Sequence, residues 1–493
     1  MQPKSLFAAV DLGSNSFRLE IGQLDGGHLR RVEYHKETVR QGNGLDADRN
    51  LSPEAMQRGW DCLARFGERL AGFRPSQVRA VATQTLREAR NRDVFLTEAK
   101  KILGFPIEVI AGREEARLIY LGVSHLLPQS DERRLVVDIG GRSTEMILGQ
   151  RWQAHTLESY RVGSVAWSMK YFPNGHWTAA AFRAAEIAAK AILDESLSLY
   201  PRSSWDKAYG SSGTIGAVAD VLLAAGRPTN VITPECLDWL QDKLLKAQRP
   251  EQLKLDGIRE DRRPVIGGGL SVLRAVFDLL QIDEMHVAQG ALRHGALYDL
   301  IDRESPDADV RTQMIAWLTQ RFGVDPMQAE RVSRTAQALL APMLGSSDPE
   351  RHLRKIRWAS QLHEVGMRIS HSDYHKHGAY ILENTDLPGF TIDELRRLGL
   401  LVLGHRGKLK KLDTTLDDPL FVLQLMVLRL SVILCHARRD PDMAGIQIEF
   451  DSKRRTVRLL LGDAWTQLWP QSAHLLREEV LSWQKTDWKL TLS

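Results

Sequence analysis

Short apolar runs punctuate the first 300 residues of the chain. Those at 6–10, 19–21, 78–83, 107–110, 135–137, 146–148 and 285–288 have the length and composition of β-strands. Between them, residues 51–73, 178–199 and 215–225 place apolar side chains at helical spacing. Ser52-Pro53-Glu54 gives the first of these helices an N-cap with proline in the opening turn. Strands interleaved with helices predict an α/β architecture. Polar stretches at 128–134 and 302–309 read as linkers, and beyond the second the pattern is almost wholly helical. The most apolar stretch, 420–435, is interrupted by Gln424 and Arg429. It falls short of the ~20 residues that cross a bilayer and predicts a buried helix.

The strand pattern contains a repeat. Residues 11–23, DLGSNSFRLEIGQ, align with 138–150, DIGGRSTEMILGQ, at a constant offset of 127. Asp11 matches Asp138, Gly13 matches Gly140, Ser16 matches Ser143 and Gly22 matches Gly149. Each copy lies between two apolar runs, which predicts a β-hairpin with a turn of small residues. Such a turn lets backbone N–H groups and hydroxyls approach an anion, and an aspartate at the strand end is placed to hold a divalent cation. Two such cradles on duplicated domains would grip one phosphate chain from both sides. A third small-residue turn, Gly210-Ser211-Ser212-Gly213-Thr214, precedes a helical run and suits an anion at a helix N-terminus. A fourth, Gly290 to Gly295, reads as a strand-to-helix turn.

Composition narrows the function classes. The 493 residues are 43% hydrophobic and 26% charged, an ordinary globular balance. A net charge of +4 argues against a dedicated nucleic-acid binder. The excess sits in residues 311–493, with 26 basic against 21 acidic side chains. Three dispersed cysteines supply neither a disulfide framework nor a cysteine zinc site. The N-terminus lacks a signal-peptide pattern, so a soluble cytoplasmic protein is expected.

The duplicated turns and GSSGT resemble the actin-like ATPase, sugar-kinase and heat-shock-chaperone superfamily. Within it, AAVDLGSNSFRL, TLREARN, GREEARLIYLG, VVDIGGRSTE and GALRHG are similar to the exopolyphosphatase/guanosine-pentaphosphate phosphohydrolase family. LHEVGMRISHSDYHKHGAYILENTDLPGF extends the likeness into the last third. The resemblance implies two actin-like (ribonuclease H-like) domains over 1–128 and 129–305. It further implies an all-α domain like the HD phosphohydrolases over 306–493. Glu115 then matches a catalytic glutamate that orients or deprotonates water, and Arg87 an arginine facing the phosphate cleft. Asp138 and Glu145 match residues linked to Mg2+. Asp11, Gly13, Ser14, Asn15 and Ser16 form the first phosphate loop; Gly140, Gly141, Arg142, Ser143 and Thr144 form the second. Gly210, Ser211, Ser212 and Gly213 join them as phosphate ligands. Arg142 and His294 depart from the family, which usually has Gly or Ala and Glu there.

In the last third, His371, His375 and His377 follow His363-Glu364 closely, a pattern that admits a metal. Glu364, however, stands where the HD pair has aspartate, so an anionic-substrate or dimer surface is the stronger reading. Arg406, Lys408, Lys410 and Lys411 are candidates for tracking polyphosphate, in a salt-dependent manner.

The expected activity is removal of terminal phosphate from inorganic polyphosphate with Mg2+, by a homodimer. A monovalent cation such as K+ is a second candidate cofactor, and peripheral association with the inner membrane face is allowed for. HRGKLKKLD leans toward exopolyphosphatases. Conversion of guanosine pentaphosphate to tetraphosphate is the alternative. An ATP-dependent sugar-kinase-like transferase and a non-catalytic polyphosphate or alarmone sensor are readings from other classes.

Overall fold

A computed structural model describes residues 6–25, 28–227, 231–303, 309–344, 349–385, 387–462 and 465–493. The chain forms two compact units, Met1–Asp309 and Val310–Ser493. The linker expected at 302–309 falls largely outside the described residues.

The first unit contains two sheets. In the first, β1 (Leu6–Leu12), β2 (Phe17–Asp25), β3 (His28–Glu37), β4 (Val78–Ala82) and β5 (Ile107–Val109) lie in the order β3-β2-β1-β4-β5. In the second are β6 (Arg133–Ile139), β7 (Thr144–Gln150), β8 (Gln153–Tyr160), β9 (Lys207–Ser211), β10 (Val231–Ile232) and β11 (Met285–Val287). Their order is β10-β11-β9-β6-β7-β8. Read outward from β6, this repeats the first sheet, with β10 added at one edge. In both, the leading hairpin is antiparallel and the next two strands add in parallel. The sequence repeat is thus a repeat of whole sheets, the duplicated actin-like architecture.

Gly22 and Gly149 acquire a shared cause. The register of the second and third strands shifts between Ile21 and Gly22 in one sheet, and between Leu148 and Gly149 in the other. A β-bulge bends the strand and crowds its neighbours. A Cβ on Gly149 would lie 2.2 Å from the Tyr120 ring.

Helices fill both faces. Pro53–Arg69 begins where Ser52 accepts a hydrogen bond from Ala55 N (3.3 Å), the expected cap. The long helix expected at 178–199 is interrupted: it runs Ala179–Leu193 and resumes as Ser196–Leu199. Helix Gly112–Leu126 is buried against both sheets, its Ala116, Leu118, Ile119 and Val123 packing with Val81 and Ile110 on one side and Val136, Ile147 and Tyr209 on the other. Any group in its first turn therefore sits between the lobes.

One segment lies in the other lobe from the one expected. Helix Leu292–Asp302, placed by the sequence in residues 129–305, packs Ala296, Leu297 and Leu300 on Phe7 and Ala9 of β1. It also lies at backbone contact with helix Gly112–Leu126. A Cβ on Gly295 would fall 1.7 Å from Leu118 O, and one on Gly122 2.3 Å from Ala291 O. The glycines of GALRHG thus serve helix packing.

The second unit is built around the buried helix Pro419–Leu434 and is helical from Val310–Arg321 to Pro470–Trp483. It is not all-α. Strands β12 (Gln447–Asp451), β13 (Thr456–Leu460) and β14 (Lys489–Leu492) form a three-stranded sheet in the order β12-β13-β14. Among the described residues, no helix is long and apolar enough to cross a membrane.

Candidate functional site

The two small-residue turns meet. A Cβ on Gly141 would lie 3.0 Å from Ser14 Cβ and 3.7 Å from Asn15 N. Their geometries match: a Cβ on Gly13 would sit 3.0 Å from Ser16 O, and one on Gly140 3.1 Å from Ser143 O. The cleft between them, about 240 Å³, is lined by Asp11, Gly13, Ser14, Asn15, Ser16, Glu115, Asp138, Gly140, Gly141, Ser143, Ser212 and Gly213 of the expected residues. Asn15 Nδ2 and Ser16 Oγ are buried without partners in this wall, a cost that a bound anion would remove.

Register explains the acidic centre. Asp11 pairs with Arg18 across β1 and β2, and Asp138 pairs with Glu145 at the repeat-related positions of β6 and β7. In the first lobe the aspartate is neutralised, with Arg18 Nη1 donating to Asp11 at 3.0 Å. In the second lobe two carboxylates face each other, and no described cation pairs with either. Burial pushes Asp138 up to about 7; Ser211 pulls it down, while Glu115 repels it. Burial, then Glu115 and Asp138, push Glu145 well above the ordinary range, and Ser159 donates to it at 2.7 Å. Among the described residues no three His, Cys, Asp or Glu side chains are grouped to cage a metal. Asp138, which lines the cleft, and Glu145, which is not among its lining residues, are the pair that could hold Mg2+, an ion that keeps waters and takes phosphate oxygens for its remaining positions.

Glu115 and Glu114 both lie in the first turn of their helix, and neither is a solvated surface group. Glu114 turns to Arg79 and Arg117. Glu115 enters the cleft, with Arg87 Nη1 donating to its Oε2 at 2.7 Å. Burial raises its carboxyl against the pull of Arg87, and Asp11 adds repulsion.

Several expected ligands point elsewhere. Arg87 does not face the cleft; it lies behind Glu115 and also donates to Ile110 O (2.9 Å) and Gln84. Arg142 turns away from the phosphate turns to Glu88 (2.9 Å) and Gly42 O (3.2 Å). Thr144 Oγ1 donates to Val162 O (2.6 Å) and Ser211 Oγ to Gly290 O (2.9 Å), both holding backbone. Gly210 packs against Met285 and Ile215. His294 is buried, its Nδ1 accepting from Ala291 N (3.1 Å) and its Nε2 3.3 Å from Glu20.

The sequence reading missed a basic wall. Arg18, Tyr34, Lys36, Arg259, Arg262 and Arg293 also line the cleft. Lys36 reaches Asp261 at 3.0 Å, linking the lobes. Arg262 lies over Gly213 at the start of helix Ser212–Ala224, where a Cβ would fall 2.1 Å from its Nη2. A guanidinium at a helix N-terminus opposes the macrodipole. Burial, and then Arg18, press it down to about 10. Its Nε is buried without a hydrogen-bond partner, 3.7 Å from Asp261 Oδ2. Arg18 could have been found from the repeat, since it occupies the position equivalent to Glu145.

Lobes of this topology, closing facing small-residue turns over a buried glutamate, define a class: hydrolases of phosphoric anhydrides on the actin-like fold. The sequence pattern of the Ppx/GppA phosphatase family matches residues 21–304, and that of Ppx/GppA phosphatase domain III matches 310–482. The chain belongs to the Ppx/GppA phosphatase family. It is 39% identical over 494 residues to the guanosine-5'-triphosphate,3'-diphosphate pyrophosphatase of Vibrio atlanticus, covering 99% of this chain and 98% of the relative. A crystal structure of an exopolyphosphatase-like protein aligns at TM-score 0.55 and 28% identity, over 60% of this chain and 97% of that one. The family member from Aquifex aeolicus aligns at TM-score 0.51 and 24% identity, over 62% and 99%, and shares the fold.

The carboxyl-terminal unit, taken by itself, has a buried histidine cluster. His363 and His405 each direct Nδ1 to a backbone carbonyl, Ser360 O and Val402 O, at 2.6 Å, with ring centroids 5.5 Å apart. Glu364 is bound by Arg438 Nη2 at 2.9 Å. Arg406 stacks on Tyr374 at 4.6 Å, and Lys411 Nζ donates to Arg406 O at 3.2 Å, while Lys408 and Lys410 are exposed. Burial holds both imidazoles below their ordinary value. Unfolded imidazoles take up protons below about pH 6.5 more readily than these, so their contribution is full above that pH and declines as pH falls below it. Urea unfolding followed by tryptophan fluorescence is expected to show lower stability at pH 5.5 than at pH 7. The dependence should shrink in His405→Gln.

Proposed function

We propose that the protein hydrolyses the terminal phosphoanhydride of guanosine 5'-triphosphate 3'-diphosphate. Water oxygen bonds to the terminal phosphorus, the bridging oxygen leaves with the remaining diphosphate, and inorganic phosphate departs. One observation carries this reading: the cleft is lined by the two small-residue turns beside Glu115 and also by Lys36, Arg259 and Arg262 around Asp261. A substrate with two phosphate groups on one nucleoside has an anion for each. A relative that matches along 99% of the chain bears the name of that activity. The lean toward polyphosphate drawn from residues 405–413 gives way to these two supports.

Phosphoryl transfer asks for positioning and charge neutralisation more than covalent chemistry. Arg87 holds Oε2 of Glu115, which leaves Oε1 to orient the water and accept its proton. Burial brings that carboxyl nearer to neutral pH, where a base is most effective. The Gly13–Ser16 and Gly140–Ser143 turns hold the terminal phosphates by backbone and hydroxyl groups. Asp138 and Glu145 would hold Mg2+, which supplies neutralisation of phosphate charge.

Phosphate release from guanosine pentaphosphate, GTP and long-chain polyphosphate, measured side by side with Mg2+, tests the reading. Pentaphosphate is expected to give the highest kcat/KM. Arg262→Ala should raise KM for pentaphosphate roughly 10- to 100-fold, the loss of a charged hydrogen bond, and KM for GTP much less. Faster release from polyphosphate would instead support the second reading, which the likeness to an exopolyphosphatase-like structure favours.

A further inference from the structure

We propose that Arg142 is a positioning residue that fixes the aim of Glu115 through a relay of three side chains. The proposal rests on Glu115 being the group that handles the attacking water.

The relay is continuous. Arg142 donates to Glu88 Oε2 from Nη2 (2.9 Å) and Nε (3.2 Å). Glu88 Oε1 accepts from Gln84 Nε2 (2.6 Å). Gln84 Oε1 accepts from Arg87 Nη2 (2.6 Å) and Nε (3.0 Å). Arg87 Nη1 then donates to Glu115 Oε2 (2.7 Å). Gln84, Arg87 and Glu88 stand at i, i+3 and i+4 on the short helix Gln84–Glu88, so one face presents all three. The amide of Gln84 has one workable orientation, because reversing it would set NH2 against a guanidinium and oxygen against a carboxylate. Charge alternates along the path, and each member fixes the next.

The Arg142 end is anchored. The backbone of Arg142 lies under Gly163, where a Cβ would fall 2.5 Å from Arg142 N, and the turn is tied down by Ser164 N and Val165 N donating to Gly140 O and Gly141 O. Arg142 Nη1 also reaches Gly42 O in the first lobe (3.2 Å). Its repeat-related counterpart is Asn15, too short for such a span, so the link runs only from the second lobe's turn. Placement of that turn is thereby registered at the carboxylate 27 positions earlier in the chain.

The test compares Arg142→Ala, Arg142→Lys and Gln84→Met in the wild-type and Glu115→Gln backgrounds, with pentaphosphate and Mg2+. Arg142→Ala is expected to lower kcat roughly tenfold with KM nearly unchanged. Gln84→Met, which cuts the relay at a side chain that does not line the cleft, should do the same. Arg142→Lys should recover most of the loss. In the Glu115→Gln background neither Arg142→Ala nor Gln84→Met should lower the residual rate further. A rise in KM with kcat intact would overturn the relay and make Arg142 a substrate ligand. Equal losses in both backgrounds would overturn it as well. If Glu115→Gln itself leaves kcat intact, the assignment of Glu115 falls, and the relay with it.

Discussion

Glu115→Gln is expected to reduce kcat by about 10²- to 10⁴-fold, the range that general-base groups contribute, with KM changed little. The glutamine keeps the size of the side chain and still accepts a hydrogen bond from Arg87, which reaches Oε2 at 2.7 Å. The fold around the helix start is therefore retained, and what is removed is the ability to take a proton from water. Single-turnover phosphate release separates this from substrate binding. A variant that turns over within threefold of the wild type would transfer the role to Asp138 or Asp11, the other carboxylates lining the cleft.

The second large effect concerns stability. Asp299 is buried and accepts from Arg79, Arg117 and Arg303, the last at 2.7 Å, and Arg79 also meets Glu108 and Glu114. Burial acts to raise Asp299, but Arg117, Arg79 and Arg303 hold it far below the usual carboxylate range. Asp299→Ala leaves two buried guanidinium groups short of a partner, which costs about 3–5 kcal/mol. A fall in melting temperature of roughly 10 °C is expected by calorimetry for the first unit. Asp278→Ala, which removes the exposed partner of Lys190, should shift it by about 1 °C or less. The contribution of Asp299 is fully present above its unfolded value near pH 4 and is lost as pH falls below it. Equal melting temperatures for the two variants would mean that the ion cluster is dispensable.

Much of the fold could be read along the chain because duplication left a signal that periodicity alone lacks. The 127-residue offset located both hairpins and both turns, while the bulges at Gly22 and Gly149 emerge only from the sheet register. The same comparison contained the asymmetry between Arg18 and Glu145, which decides where a cation is wanted. Matching positions mark the repeat, and this pair is where the two copies differ. The basic wall was hidden for another reason: Lys36, Arg259 and Arg262 come from two segments more than 200 residues apart, and only the folded cleft joins them. Arg87 and Arg142 were placed in the cleft by motif. Motif fixes the backbone position, while the neighbours Gln84 and Glu88 decide where each guanidinium points. The helix Leu292–Asp302 was assigned by adjacency in sequence, a rule that a returning chain defeats.

That return has a consequence for synthesis on the ribosome. The first lobe emerges first, yet part of the cover over Phe7 and Ala9, and the Asp299 partner of Arg79 and Arg117, come from a helix encoded about 170 residues after Leu126. At typical elongation rates that is a wait of roughly 10–30 s. During it, the nascent amino-terminal lobe carries an uncovered apolar strip and an incomplete ion cluster. The lobe that is translated first thus cannot finish folding until the second has been made.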